Sequence, residues 1–232
     1  MKNFDALTDA TRAERAVLLG EPIIAQALAG EVTRELYLAF LTQAYHHVRH
    51  TVPLLMAVGS RLEGRHHWLQ RELVHYLEEE VGHDEWILND IEAAGGDAGA
   101  VREFLPAVET DAMVAYAYDT VTRRQPVGFF GMVFVLEGTS VSLALNAAAS
   151  IKRALALPDR AFTYLRSHGT LDQEHVGHLA SIVDRLDAEQ DLPAVITCAR
   201  AMYWLYGSVF RGLQRVPEGV PGVQPTRKVA CN

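Results

Sequence analysis

The stretch SHGTLDQEHVGHL, Ser167 to Leu179, places three histidines and an aspartate in one short segment of a chain otherwise rich in alanine and leucine. Read as a helix, His168, Asp172 and His175 follow one another at steps of four and three residues. At 3.6 residues per turn they fall within about 60° of arc on one face. A solvated face mixes Lys and Glu at such spacings and a core stripe is apolar, so a His, Asp, His stripe is neither. It fits a metal site or a buried hydrogen-bonded network. Both readings need further helices to face it.

The rest of the chain supplies them. Nearly every segment repeats its apolar residues at period 3.6, and alternating Val, Ile or Thr runs bounded by Asn-Gly turns are absent. Breakers at Gly20 to Pro22, Gly30 to Thr33, Gly64, Gly95 to Gly99, Gln125 to Pro126, Pro158 and Pro193 divide the sequence. The expected helices cover residues 5–19, 22–28, 34–62 with a kink at Pro53, 66–94, 101–123, 127–155, 159–186 and 193–213. The fold class is therefore all-α, a single-domain bundle of about seven helices over residues 1–215. Residues 216–232, rich in proline and glycine, form an irregular tail.

Composition narrows the function. With 232 residues, 49% of them apolar, the chain can bury a sizeable core. A formal net charge of −8 and the lack of a basic stripe argue against nucleic acid, which demands clustered Lys and Arg. The two cysteines, Cys198 and Cys231, make no disulfide framework and suit a reducing cytoplasm. The N-terminus is too charged for a signal peptide, and the apolar runs are shorter than the ~20 residues of a membrane span. A cytoplasmic protein with no membrane partner is expected, and a homodimer is the default assembly.

Two more places carry chemistry. In YLEEEVGHDEW, Tyr76 to Trp86, Glu80 lies three residues and Glu79 four residues before His83, so on a helix either carboxylate shares a face with the imidazole. Glu80 is the preferred partner and Glu79 stays open. An acidic solvated face explains Glu78, Asp84 and Glu85 but says nothing of His83. In GFFGMVFVLEGTSVSLALNAA a single carboxylate, Glu137, interrupts a long apolar stretch. Burying it costs several kcal/mol unless it is paired, protonated or bound to a cation. Glu80, His83, Glu137, His168, Asp172 and His175 thus offer three carboxylates and three imidazoles from three helices. That mixture of oxygen and nitrogen donors suits two iron ions, with manganese as the substitute.

A carboxylate and histidine on one helix, a lone glutamate on a later one, then H-x3-D-x2-H about thirty residues on, resembles the haem-oxygenase-like diiron oxidases and oxygenases. That all-α superfamily also holds the TenA thiaminases and the oxidase that finishes pyrroloquinoline quinone synthesis. YHHVRHTVPLL and GFFGMVFVLEGTS further resemble its TenA-like, iron-containing redox enzyme subgroup. In some members the first carboxylate stands seven residues before the histidine; here that position is Tyr76. The resemblance implies a TenA-like bundle in which two ferrous ions reduce O2 and the oxidant attacks a small organic substrate. Phe129, Phe130 and Phe134 are expected to shape its pocket.

Other residues stay outside the ligand set. His46 and His50, one helical turn apart, and His47 between them are read as core or surface residues, with lining the pocket as the alternative. His178, turned about 60° from the stripe, is a supporting or surface residue. Tyr76 is read as a packed core tyrosine, and His66 and His67 receive no role. Two other functions compete. A TenA-like aminopyrimidine or thiamin hydrolase needs a cysteine nucleophile, for which Cys198 is the internal candidate. A non-catalytic ligand-binding or regulatory bundle needs none. Haem is not expected, because no histidine precedes His46 to serve as a proximal ligand on an early helix.

Overall fold

The bundle is built around one long apolar helix. In the computed structural model, which describes residues 1–214 apart from the side chains of 170–173, Phe130–Leu155 runs unbroken through the core. The expected tail, with Cys231, and the side chain of Asp172 lie outside the described residues. The helices are, in chain order, α1 (Asn3–Ala10), α2 (Arg12–Leu19), α3 (Pro22–Ala29), α4 (Arg34–Val48), α5 (Thr51–Gly59), α6 (Leu69–Glu80) and α7 (His83–Ala93). They continue with α8 (Ala98–Glu103), α9 (Val108–Arg123), α10 (Phe130–Leu155), α11 (Thr163–Arg185) and α12 (Leu192–Leu213). No strand occurs among the described residues.

The all-α expectation holds, but four of the expected long helices are broken. Residues 66–94 divide into α6 and α7 at Val81 and Gly82. Gly82 has φ 93°, a left-handed conformation that only glycine adopts without steric penalty, so Glu80 ends one helix and His83 begins the next. Residues 34–62 divide at Arg49 and His50, four residues ahead of Pro53, which sits in the first turn of α5 where its missing N–H costs nothing. Residues 5–19 separate at Thr11, and residues 101–123 separate around Pro106.

α10 packs along α11, α12 and α3. By length and composition alone the run Pro126–Leu155 is apolar enough to cross a membrane, contrary to the expectation from shorter apolar runs. In the fold, 67% of its most apolar window is buried inside the bundle. Where α10 and α11 cross, Gly169 lies against Leu145. A Cβ at Gly169 would stand 2.7 Å from the leucine Cγ, so only glycine permits this approach, immediately beside His168.

Two buried aspartates fix helix ends. Asp90 of α7, fully buried, accepts the backbone N–H groups of Thr163 at 2.9 Å and Tyr164 at 2.8 Å, and so caps α11. Because α7 begins with His83 and α11 carries His168, this cap sets one histidine against the other. At the far end Asp191 accepts Arg65 Nη2 at 2.5 Å, His66 Nε2 at 3.0 Å, Gln125 Nε2 at 2.7 Å and the Asp187 N–H at 3.1 Å. His66 therefore has a structural role that its place in a loop did not reveal.

Candidate metal centre

Two carboxylate-imidazole clusters meet between α6, α7, α10 and α11. In the first, Glu80, His83 and His168 bring one ligand atom each to within 4.8 Å of one another. Glu80 Oε2 lies 3.1 Å from His83 Nδ1, and the two side chains are 10% and 2% exposed. The helix break does not separate them: the turn at Gly82 folds His83 back onto the last residue of α6. His168 Nδ1 is 3.1 Å from the Tyr164 carbonyl, a bond in which Nδ1–H donates, so that a metal would take Nε2. The rings of His83 and His168 stand edge to face with centroids 4.8 Å apart, and Trp86 covers the other side of His83 at 4.0 Å.

The second cluster centres on His175. Its Nε2 is 3.1 Å from Glu79 Oε2 and its Nδ1 is 3.8 Å from Glu137 Oε1, both oxygens reaching a ring that is 4% exposed. Glu79 and Glu80 were alternatives in the sequence; in the fold they serve different clusters, Glu80 beside His83 and Glu79 beside His175. Five of the six expected ligands thus converge, and the side chain of the sixth, Asp172, lies outside the described residues.

The electrostatics match a cation site. Burial would raise the Glu80 carboxyl, but the hydrogen bond from His83 and the charges of His83, His168 and His175 hold it below the usual glutamate value. Tyr76 is pushed well above the ordinary phenol range by burial and by the nearby Glu137, Glu80 and Glu79. The donor set fits iron: nitrogen and oxygen ligands, no thiolate, and one imidazole oriented by a backbone carbonyl.

The clusters close one end of a cavity of about 170 Å³. Glu80, Glu137, Tyr76 and His168 line that end, and mostly apolar side chains, chiefly from α3, α4, α10 and α12, line the rest. Of the three phenylalanines expected there, Phe129 lines the cavity; Phe130 is fully buried in the core, and Phe134 packs against Phe4 and Tyr203. The histidine stretch also divides differently. His46 and His50 do not share a helix, because α4 ends at Val48. His46 packs on Tyr45, His50 Nδ1 bonds the Tyr118 hydroxyl at 3.1 Å, and His47 faces the cavity. His178 lies behind the second cluster, with Nε2 3.4 Å from Glu72 and its ring against His75 and Tyr76. Cys198 is buried away from the cavity, and burial pushes its thiol up to about 12.

The helical bundle that carries these two clusters has a haem-oxygenase-like fold. A domain from Shewanella denitrificans OS217, described as having a heme oxygenase-like fold and no known function, superposes with TM-score 0.83 at 20% identity, covering 93% of each chain. A TenA homolog from Pseudomonas syringae pv. tomato DC3000 gives TM-score 0.79 at 12% identity, covering 91% of this chain and 92% of the other. Heme oxygenase-1 from the cyanobacterium Synechocystis sp. PCC6803, in complex with heme, gives 0.73 at 10% identity, covering 93% of both. No curated protein matches the chain in sequence. The family described as iron-containing redox enzyme matches residues 38–207, and the chain belongs to that family.

Proposed function

We propose that this protein is a non-haem diiron oxidase or oxygenase that uses O2 on a small, largely apolar organic substrate. Glu80, His83 and His168 hold one iron. Glu137 and His175 hold the other, with Glu79 and Asp172 as its remaining donors. Manganese suits the same donors. The observation that carries this reading is the placement of the two clusters, three carboxylates and three imidazoles of which His83 and His175 are buried and His168 half-buried, beside a largely apolar cavity.

When bound, ferrous iron would supply the electrons that activate O2. The chain's own residues do the rest. Tyr164, through its carbonyl, fixes the tautomer of His168. The Tyr76 hydroxyl, held protonated by burial and the nearby carboxylates, lines the cavity with Glu137. The apolar walls keep water from the reacting end and orient the substrate. A thiamin-type hydrolase would need a nucleophilic thiol at the cavity, and Cys198 neither lines it nor ionises readily.

Anaerobic ferrous titration of the metal-free protein tests the reading. Two equivalents should bind, His168→Ala and His175→Ala should each bind one fewer tightly, and the doubly substituted protein should bind none. Wild-type protein that takes up no stoichiometric iron, or takes it up unchanged in both variants, refutes the assignment.

A further inference from the structure

We propose that the cavity takes a chain amphiphile, an extended hydrocarbon tail with one oxygen-bearing head group, and that His47 is the hydrogen-bonding anchor for that head. The inference deepens the reading of Glu80, His83 and His168 as the metal end of the cavity and rests on it for which end the head occupies.

The cavity is long and narrow by construction. On α4 the lining residues Leu36, Phe40 and His47 follow one stripe, and the eleven-residue step from Leu36 to His47 spans about 16 Å along the helix axis. α10 runs the opposite way, its lining stripe passing from Glu137 through Leu143 and Ala147 to Ile151. At the Leu36 and Ile151 end the lining includes Leu28, which is 37% exposed, so the channel opens to solvent there. A tail lying along these walls meets mostly hydrocarbon, interrupted by the hydroxyls of Thr51, Thr139 and Ser140, and each methylene it buries adds affinity.

His47 breaks the pattern. It is 4% exposed, and its Nδ1 is buried with no hydrogen-bond partner. Its ring stands perpendicular to Tyr206 with centroids 5.9 Å apart, and it lines the same end as His168. A buried polar atom without a partner is costly to keep in an otherwise apolar wall. A ligand that brings its own oxygen to Nδ1 removes that cost, and one that brings only hydrocarbon does not. Burial, with His168, His50 and His46 nearby, keeps the imidazole neutral, so it offers a hydrogen bond without a charge. Among the described residues the carboxylates that line the cavity, Glu80 and Glu137, each face an imidazole, which favours hydroxyl or carboxylate heads over an ammonium.

The test is calorimetric binding of three homologous series, n-alkanols, n-alkanoates and n-alkylamines, to anaerobic ferrous-loaded protein and in parallel to metal-free protein. Affinity of the oxygen-headed series should rise about fourfold per methylene until the channel is filled, then level off. Amines of equal length should bind at least about tenfold more weakly. His47→Phe should weaken oxygen-headed ligands by about tenfold without changing the dependence on chain length, and His47→Asn, which keeps a hydrogen-bonding atom near the Nδ1 position, should restore most of it. Ala147→Phe should move the plateau to shorter chains. Affinity independent of chain length, or equal binding of amines, overturns the proposal, and so does an unchanged preference in His47→Phe. Ferrous stoichiometry measured on the same samples separates the two ideas. A chain-length series that persists in a protein unable to bind iron refutes the diiron reading and leaves the amphiphile site, while normal iron binding with no such series does the reverse.

Discussion

Replacing Asp90 by alanine should loosen the metal centre from a position that touches none of its ligands. Its carboxylate satisfies two N–H groups in the first turn of α11, at 2.9 and 2.8 Å, from a fully buried position. Alanine leaves both donors buried without an acceptor, at about 1–3 kcal/mol each, partly offset because a carboxylate is no longer desolvated. The expected net loss is about 2–4 kcal/mol, or roughly 5–15 °C in Tm for a chain of this size. Differential scanning calorimetry measures it. The pH dependence gives a second signature. Burial pushes Asp90 up to about 6 against the backbone bonds from Tyr164 and Thr163, so the native state holds the proton more tightly than the unfolded chain, where the value is about 3.9. The stability this group contributes is therefore full below about pH 4 and is lost as pH rises through about 6. Wild-type protein should gain stability relative to Asp90→Asn between pH 7 and pH 5. Because His168 lies five residues beyond Thr163, the first ferrous site should weaken more than the one at His175. A loss in Asp90→Ala below about 0.5 kcal/mol, or equal weakening of both iron sites, would refute the reasoning.

Three other outcomes are expected. Asp191→Ala should cost about 2–4 kcal/mol, since it strands the groups of Arg65, His66 and Gln125 that converge on a buried carboxylate, while leaving ferrous affinity unchanged in titration. Burial alone would raise Asp191, but the bonds from His66 and Arg65 hold it low. Its contribution is thus present above about pH 4 and disappears as pH falls below that, opposite in sign to Asp90, as paired acid titrations of the two variants will report. Gly82→Ala forces a side chain onto φ 93°, at about 1–2 kcal/mol, and should lower ferrous affinity at Glu80 and His83 together, measurable by competition with a chelator. In a Cys231→Ser background, Cys198 should resist a thiol reagent until denaturant is added, because burial raises the thiol to about 12, and Cys198→Ala should keep the iron stoichiometry of the parent.

The helical class and the grouping of the candidate residues were legible because both depend on local periodicity. The His168 and His175 steps survive as written because α11 has no break between them, and Glu137 stood out because a charge in an apolar helix demands compensation. What escaped depends on backbone geometry and on neighbours distant in sequence. The period-3.6 pattern runs straight across Gly82 and Arg49, since a break that preserves the apolar face leaves no mark on the periodicity. With the early end of α4 hidden in that pattern, His46 and His50 read as a one-turn pair, whereas of the three histidines only His47 lines the cavity. Glu79 and Glu80 competed for one role on paper because a single helix would aim both at His83. The separate pull of His175 on Glu79 is a contact across 96 residues of chain. Asp90 and His66 carried no signal at all, as their partners are backbone groups and side chains set by the tertiary fold.

The order in which the helices are synthesised has a cost built into it. α10, among the described residues the one helix both long and apolar enough to cross a membrane, leaves the ribosome before α11 and α12, the two helices that cover much of it. Until the last of them emerges, a stripe hydrophobic enough to be mistaken for a membrane anchor stands uncovered in the nascent polypeptide, along with the glutamate that its future partners will neutralise. Truncations that stop short of α12 should therefore clump or be captured by chaperones rather than accumulate as smaller folded units.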